Sequence, residues 1–121
     1  MQENQDNVKK TDWGYEIIWS NNENYGAKIL VFESASKTHF MFNQYAEKSW
    51  FVNGGQFIFR WMDTQNGNIY QQEAGDGFVF QSKPLVPYSI ECVTNGGSLS
   101  EVNNGIKEND TFVVLTKENY K

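Results

Sequence analysis

Residues 49–62 read SWFVNGGQFIFRWM, and the rest of the chain repeats their pattern. Two short runs rich in aromatic and β-branched residues flank Asn53-Gly54-Gly55. Such residues suit a pleated, half-buried surface, and Asn-Gly-Gly accepts the positive φ angles that a tight hairpin demands. The stretch therefore predicts two paired strands. Working outward, comparable runs occur at 15–19 (YEIIW), 27–33 (AKILVFE), 38–42 (THFMF), 68–72 (NIYQQ), 77–80 (GFVF), 88–93 (YSIECV), 98–102 (SLSEV) and 111–115 (TFVVL). Asn66-Gly67-Asn68, Gly75-Asp76-Gly77 and Asn95-Gly96-Gly97 punctuate them. No window holds a 3.6-residue period, so about ten short strands at near-regular spacing predict an all-β sandwich or barrel.

A chain of 121 residues fits a single domain. Residues 1–11 are polar and aperiodic and read as a flexible N-terminal arm, leaving 12–121 as the barrel domain. Nine Phe, six Tyr and four Trp supply enough bulk for a core, and core packing is the first reading of Trp13, Trp19, Trp50 and Trp61. A formal charge of −5 without a Lys/Arg cluster argues against nucleic acid and against an anionic membrane surface. The single cysteine, Cys92, sits in an apolar run and reads as a small core residue. The polar start lacks a signal peptide's apolar run and no segment reaches transmembrane length, so a cytoplasmic location is expected. The sequon-like Asn109-Asp110-Thr111 then reads as chance.

Two segments resemble a known family. The first is Trp13-Gly14-Tyr15-Glu16 followed by Tyr25 through Gly55, ending in Trp50-Phe51-Val52-Asn53-Gly54-Gly55. The second is Gly75-Asp76-Gly77-Phe78-Val79-Phe80 with Pro87-Tyr88-Ser89-Ile90-Glu91. Together they resemble the two motifs of the cupin superfamily, in particular the mannose-6-phosphate isomerase-like cupins. The resemblance implies a double-stranded β-helix, a jelly-roll barrel with a ligand cavity between two sheets. It also implies a metal held by three histidines and a glutamate. Aligned on Trp50 and Gly55, two histidine positions fall on Asn43 and Tyr45 and the glutamate on Lys48, and aligned on Pro87 with a slightly longer loop the third histidine falls on Tyr88. The chain has one histidine, so neither a three-imidazole site nor a two-His, one-carboxylate triad can form within it. No metal site and no cofactor are expected.

Alternate residues of a strand share a face, so His39, Met41, Asn43 and Tyr45 are expected to line the barrel together. Tyr88 should converge on them. Lys28 is where the resemblance places a partner for phosphate or carboxylate, and Lys48 could hydrogen-bond a polar ligand at the mouth. Arg60 reads as a solvated surface cation. The expected function is a metal-free cupin binding a small polar molecule, carbohydrate or sugar phosphate, in the barrel. A metal-independent sugar isomerase or epimerase, with His39 as base and Tyr45 or Tyr88 as acid, is the enzymatic alternative, and a structural or regulatory domain is the third. Small cupins commonly pair through sheet edges, so the resemblance also implies a homodimer.

Overall fold

The glycine- and asparagine-rich breaks do turn the chain where the sequence expects. The computed structural model describes residues 7–105, 107 and 109–120, and among them are twelve strands. They are β1 (Val8–Lys10), β2 (Gly14–Asn21), β3 (Gly26–Phe32), β4 (Ser36–Lys37), β5 (Phe40–Asn43) and β6 (Lys48–Gly54). After these come β7 (Phe57–Met62), β8 (Ile69–Ala74), β9 (Val79–Ser82), β10 (Tyr88–Cys92), β11 (Gly97–Asn103) and β12 (Thr111–Leu115). Gly55 links β6 to β7 at φ +103°, and Gly67 links β7 to β8 at φ +76°, conformations that other residues rarely adopt. At Gly55 an added Cβ would also come within 3.0 Å of the Gly96 carbonyl.

The strands form two antiparallel sheets. One runs β1-β2-β3-β11-β6-β9 and the other β12-β5-β10-β7-β8, with β4 pairing β10. Their inner faces enclose a core of Phe32, Trp50, Val52, Phe57, Phe59, Ile90, Cys92 and Leu99, each 2% exposed or less. Phe59 stacks on Phe80 at 4.5 Å and Trp13 on Phe32 at 4.3 Å. Burying each such ring stabilises the fold by roughly 2–3 kcal/mol. Cys92 is a buried free thiol, as its apolar setting predicts.

Several expectations need correction. Residues 8–10, placed in the flexible arm, form an edge strand on β2, with Val8 opposite Ile17. Trp19 is 62% exposed because it falls at a bulge between Ile18 and Ser20, where the β2–β3 register shifts. Arg60 is not a free surface cation. It is 7% exposed and donates to Glu91 Oε1 at 2.7 Å. Its face of β7 is covered by the segment after β12, which brings the Tyr120 ring 6.0 Å from the guanidinium. Within the sequon-like tripeptide, Asp110 is 2% exposed and builds a turn.

Candidate functional site

Each inward-facing row of side chains changes character along its strand. On β3 the inward residues are Lys28, Leu30 and Phe32, and on β6 they are Lys48, Trp50 and Val52. On β11 they are Asn103, Glu101 and Leu99, and on β10 they are Tyr88, Ile90 and Cys92. One end of the barrel is therefore apolar and the other carries charge.

At the polar end the side chains bond to one another. Lys48 Nζ donates to the Tyr88 hydroxyl at 3.2 Å, and that hydroxyl donates to Asn43 Oδ1 at 3.4 Å. Asn43 Nδ2 donates to Thr111 Oγ1 at 2.9 Å and to Asp110 Oδ2 at 3.3 Å. On the facing sheet, Glu101 accepts from Trp50 Nε1 at 2.8 Å and from Asn103 Nδ2 at 3.0 Å. Lys28 Nζ lies 3.1 Å from Glu16 and 4.0 Å from Glu101. Paired, hydrogen-bonded charges are the only kind that burial tolerates.

A cavity of about 120 Å³ lies between the two groups. Lys28, Lys48, Tyr88, Glu16, Glu101 and Thr38 supply its polar wall, and Trp13, Leu30, Met41, Trp50 and Ile90 its apolar wall. Glu16 and Lys28 also line a recess of about 280 Å³ that includes Lys9 and Lys107. Burial opposes the charge on Lys48, but the neighbouring Tyr88 oxygen and Glu101 carboxylate outweigh it and hold the ammonium above the usual lysine range. Burial pushes the Tyr88 phenol up, with Lys48 acting against that rise. At neutral pH the pair is an ammonium donating to a neutral phenol.

The sequence-predicted site residues separate into two groups. Lys28, Met41, Lys48 and Tyr88 line the cavity, and Asn43 joins them through Tyr88. His39 and Tyr45 stand elsewhere. β5 covers only Phe40–Asn43, so the two-residue alternation fails at both ends. Before the strand, Thr38 turns inward and accepts from the Ile90 amide at 3.0 Å. His39 faces the C-terminal segment instead, and its Nδ1 accepts from the Lys117 amide at 2.9 Å. After the strand, Asp110 accepts from the amides of Tyr45 and Ala46 at 2.8 and 3.2 Å. That turn leaves Tyr45 60% exposed. Glu101, Thr38 and Asp110 were not anticipated, although Glu101 shares its strand face with Leu99, an acid on an apolar stripe.

The residues at the four aligned ligand positions do not fit a metal ion. A buried ammonium occupies one of them and repels a cation, and Tyr45 is turned to solvent. Among the described residues no three His, Cys, Asp or Glu side chains gather closely enough to hold a metal.

Two stacked antiparallel sheets enclosing a polar-ended cavity define a single-domain β-barrel of the cupin fold. Solved structures agree with that assignment. Oxalate decarboxylase from Bacillus subtilis superimposes with a TM-score of 0.76 at 17% identity, over 88% of this chain and 29% of that one. The capsular polysaccharide assembling protein CapF from Staphylococcus aureus gives a TM-score of 0.81 at 10% identity, over 90% of this chain and 32% of the other. Peruvianin-I, a cysteine peptidase from Thevetia peruviana latex, gives 0.69 at 15% identity, over 77% and 57%. The chain thus spans about a third of the first two and over half of the third. Identities this low carry the fold alone. No family model matches the chain, and no curated protein matches it in sequence. Among the described residues no helix is long and apolar enough to cross a membrane.

Proposed function

We propose that this chain is a metal-free cupin that binds one end of a small polar ligand, a carbohydrate or sugar phosphate, inside its barrel. The observation that carries this reading is the Lys48 ammonium, 9% exposed and set in the cavity wall. An ammonium has three protons to donate, and among the described residues it has one acceptor, the Tyr88 hydroxyl. A ligand oxygen would satisfy a donor that is otherwise costly to bury. The ammonium also supplies a fixed positive charge where the resembled family keeps its ion.

Size limits the ligand. A volume of about 120 Å³ equals roughly four waters at about 30 Å³ each, so a short hydroxylated or carbonyl-bearing end enters. Lys9, Lys28 and Lys107 in the adjoining recess suit a phosphate or carboxylate on the other end. CapF, described as a polysaccharide-assembling protein, is in keeping with a sugar, while the charge pattern carries the argument. The isomerase or epimerase reading loses its base, because His39 is bonded to the C-terminal segment and does not line the cavity. Binding without catalysis is the reading favoured.

Thermal-shift and calorimetric screening of sugar phosphates and their parent sugars tests the proposal. A ligand at a hundred times its dissociation constant should add about 2.7 kcal/mol of stability, and Lys48→Met should abolish the shift while remaining folded. A shift that persists in Lys48→Met, or none with any sugar or sugar phosphate, would overturn it. Stoichiometric transition metal in the purified protein would remove the metal-free part.

A further inference from the structure

The six-stranded sheet ends on a short strand with a neighbour on one side only. β9 closes that sheet and pairs with β6 alone. In an antiparallel ladder, pairs that exchange hydrogen bonds alternate with pairs whose amides and carbonyls point away from each other. The Val52 amide donates to the Phe78 carbonyl at 3.0 Å, and this sets the alternation. Trp50–Phe80 and Lys48–Ser82 are then the bonded pairs. Val79 and Gln81 direct their N–H and C=O groups outward, and among the described residues those four groups have no partner. Both residues are exposed.

An apolar slot lies against this same edge. It encloses about 350 Å³ and is lined by Trp61, Phe80, Val86 and Tyr88, with Gln81 and Lys83 on the β9 side. The Trp61 and Phe80 rings stand 5.5 Å apart by centroid and are tilted by 45°, so they do not close flat on each other. The wall that carries Val86 is stiff. Residues 83–87 hold both prolines of the chain, Pro84 and Pro87. The Val86 amide donates to the Lys83 carbonyl at 3.3 Å. Leu85, at φ +68°, donates its amide to the Asn43 carbonyl at 2.8 Å. A wall fixed in this way needs no ordering when a partner arrives, which lowers the cost of binding.

We infer that the β9 edge docks an extended peptide segment of another protein, which adds to the sheet as a further strand. The two features together select that occupant. A strand supplies the donors and acceptors that Val79 and Gln81 leave free, whereas a small apolar molecule would fill the slot and leave them unpaired. A residue of the added strand opposite Phe80 shares the Phe80 face of the sheet and enters the slot. An apolar cavity of about 150 Å³ holds benzene, so about 350 Å³ accommodates an aromatic side chain.

Charge adds a second requirement. Lys83 is the one charged residue in the lining. Glu47 lies across the neighbouring recess and forms no ion pair with Lys83 among the described residues. The segment is therefore an alternating run with an aromatic residue for the slot and an acid toward the Ser82 end of β9. The slot shares only Tyr88 with the interior ligand cavity, so peptide docking does not rest on the sugar reading.

Selection of a phage-displayed random dodecapeptide library against the full chain tests the inference. Enriched sequences should alternate apolar and polar residues, pair an aromatic residue with Asp or Glu, and bind at micromolar concentration in fluorescence anisotropy. Gln81→Pro removes one outward N–H and no ladder bond, and should weaken the best enriched peptide by about tenfold or more with unchanged circular dichroism. N-methylation of that peptide's backbone, one residue at a time, should abolish binding at alternate positions and spare those between. No enrichment, enrichment of basic sequences, or equal binding to Gln81→Pro and wild type would overturn the inference. Should Gln81→Pro fail to fold, the methylated peptides carry the test, and tolerance at every position would overturn it.

Discussion

The two ends of this barrel share the same strands and carry opposite chemistry. Moving four residues along β6, from Lys48 to Val52, or along β10, from Tyr88 to Cys92, passes from a hydrogen-bonded ionic cluster to a dry aromatic core. The apolar end is held by burial, which has no direction, and by stacked rings such as Phe59 on Phe80. The polar end is held by oriented bonds among Lys48, Tyr88, Asn43, Glu101 and Trp50. Buried ionic networks add little net stability over an apolar replacement, so stability belongs to the apolar end, and the binding proposed above to the polar one.

The sharpest way to break this division is to truncate a ring. Phe59 is fully buried and touches Trp50, Phe57 and Phe80. Phe59→Ala should lower unfolding stability by about 3–5 kcal/mol in urea titration, while any ligand's affinity for the folded protein changes little. Equal losses of affinity and stability would mean that the two ends are one unit.

The alkaline limb of the stability curve probes the polar end. Lys48, Tyr88 and Tyr120 all have pKa values raised on folding. For each, the unfolded chain releases its proton first, so stability is full below the ordinary values near 10 and declines as pH rises above them. Melting temperature should hold steady from pH 7 to about 9.5 and then fall. The fall should be shallower in Tyr120→Phe, which removes one of the three titrating groups and leaves the Lys48–Tyr88 pair intact, and an unchanged fall would assign it to that pair. At the acid end the Lys117 contact lowers the Asp12 pKa, but that pair is exposed and weak.

The smallest effect is expected at Trp19, which lies outside both regions at its bulge. Trp19→Ser should change stability by less than about 0.5 kcal/mol in thermal melts. A larger loss would show that this indole packs in solution against something more than its own strand.

The sheet-forming runs were legible because aromatic and β-branched residues alternate over four to seven positions, and β12 occupies the 111–115 run that the sequence marks. Polar β1 and two-residue β4 were not legible, since each is defined by its partner rather than by its own composition. At the site, Met41 and Asn43 followed from alternation. His39 and Tyr45 were misplaced because alternation holds only inside a strand, and β5 is four residues long. What ends it is Asp110, 67 residues away from Asn43 in sequence, and no local pattern carries that information.

The same long reach bears on how the protein is made. Asn43 bonds to Thr111 across 68 residues, and Thr38 receives the Tyr120 hydroxyl across 82. As the ribosome delivers the chain, β5 emerges early and must wait for β12 before its outer edge is paired. Until then Phe40 has no tyrosine to cover it, and pairing over such separations is slow. The nascent chain therefore passes through a stage with an unpaired strand edge, the kind of surface that chaperones hold.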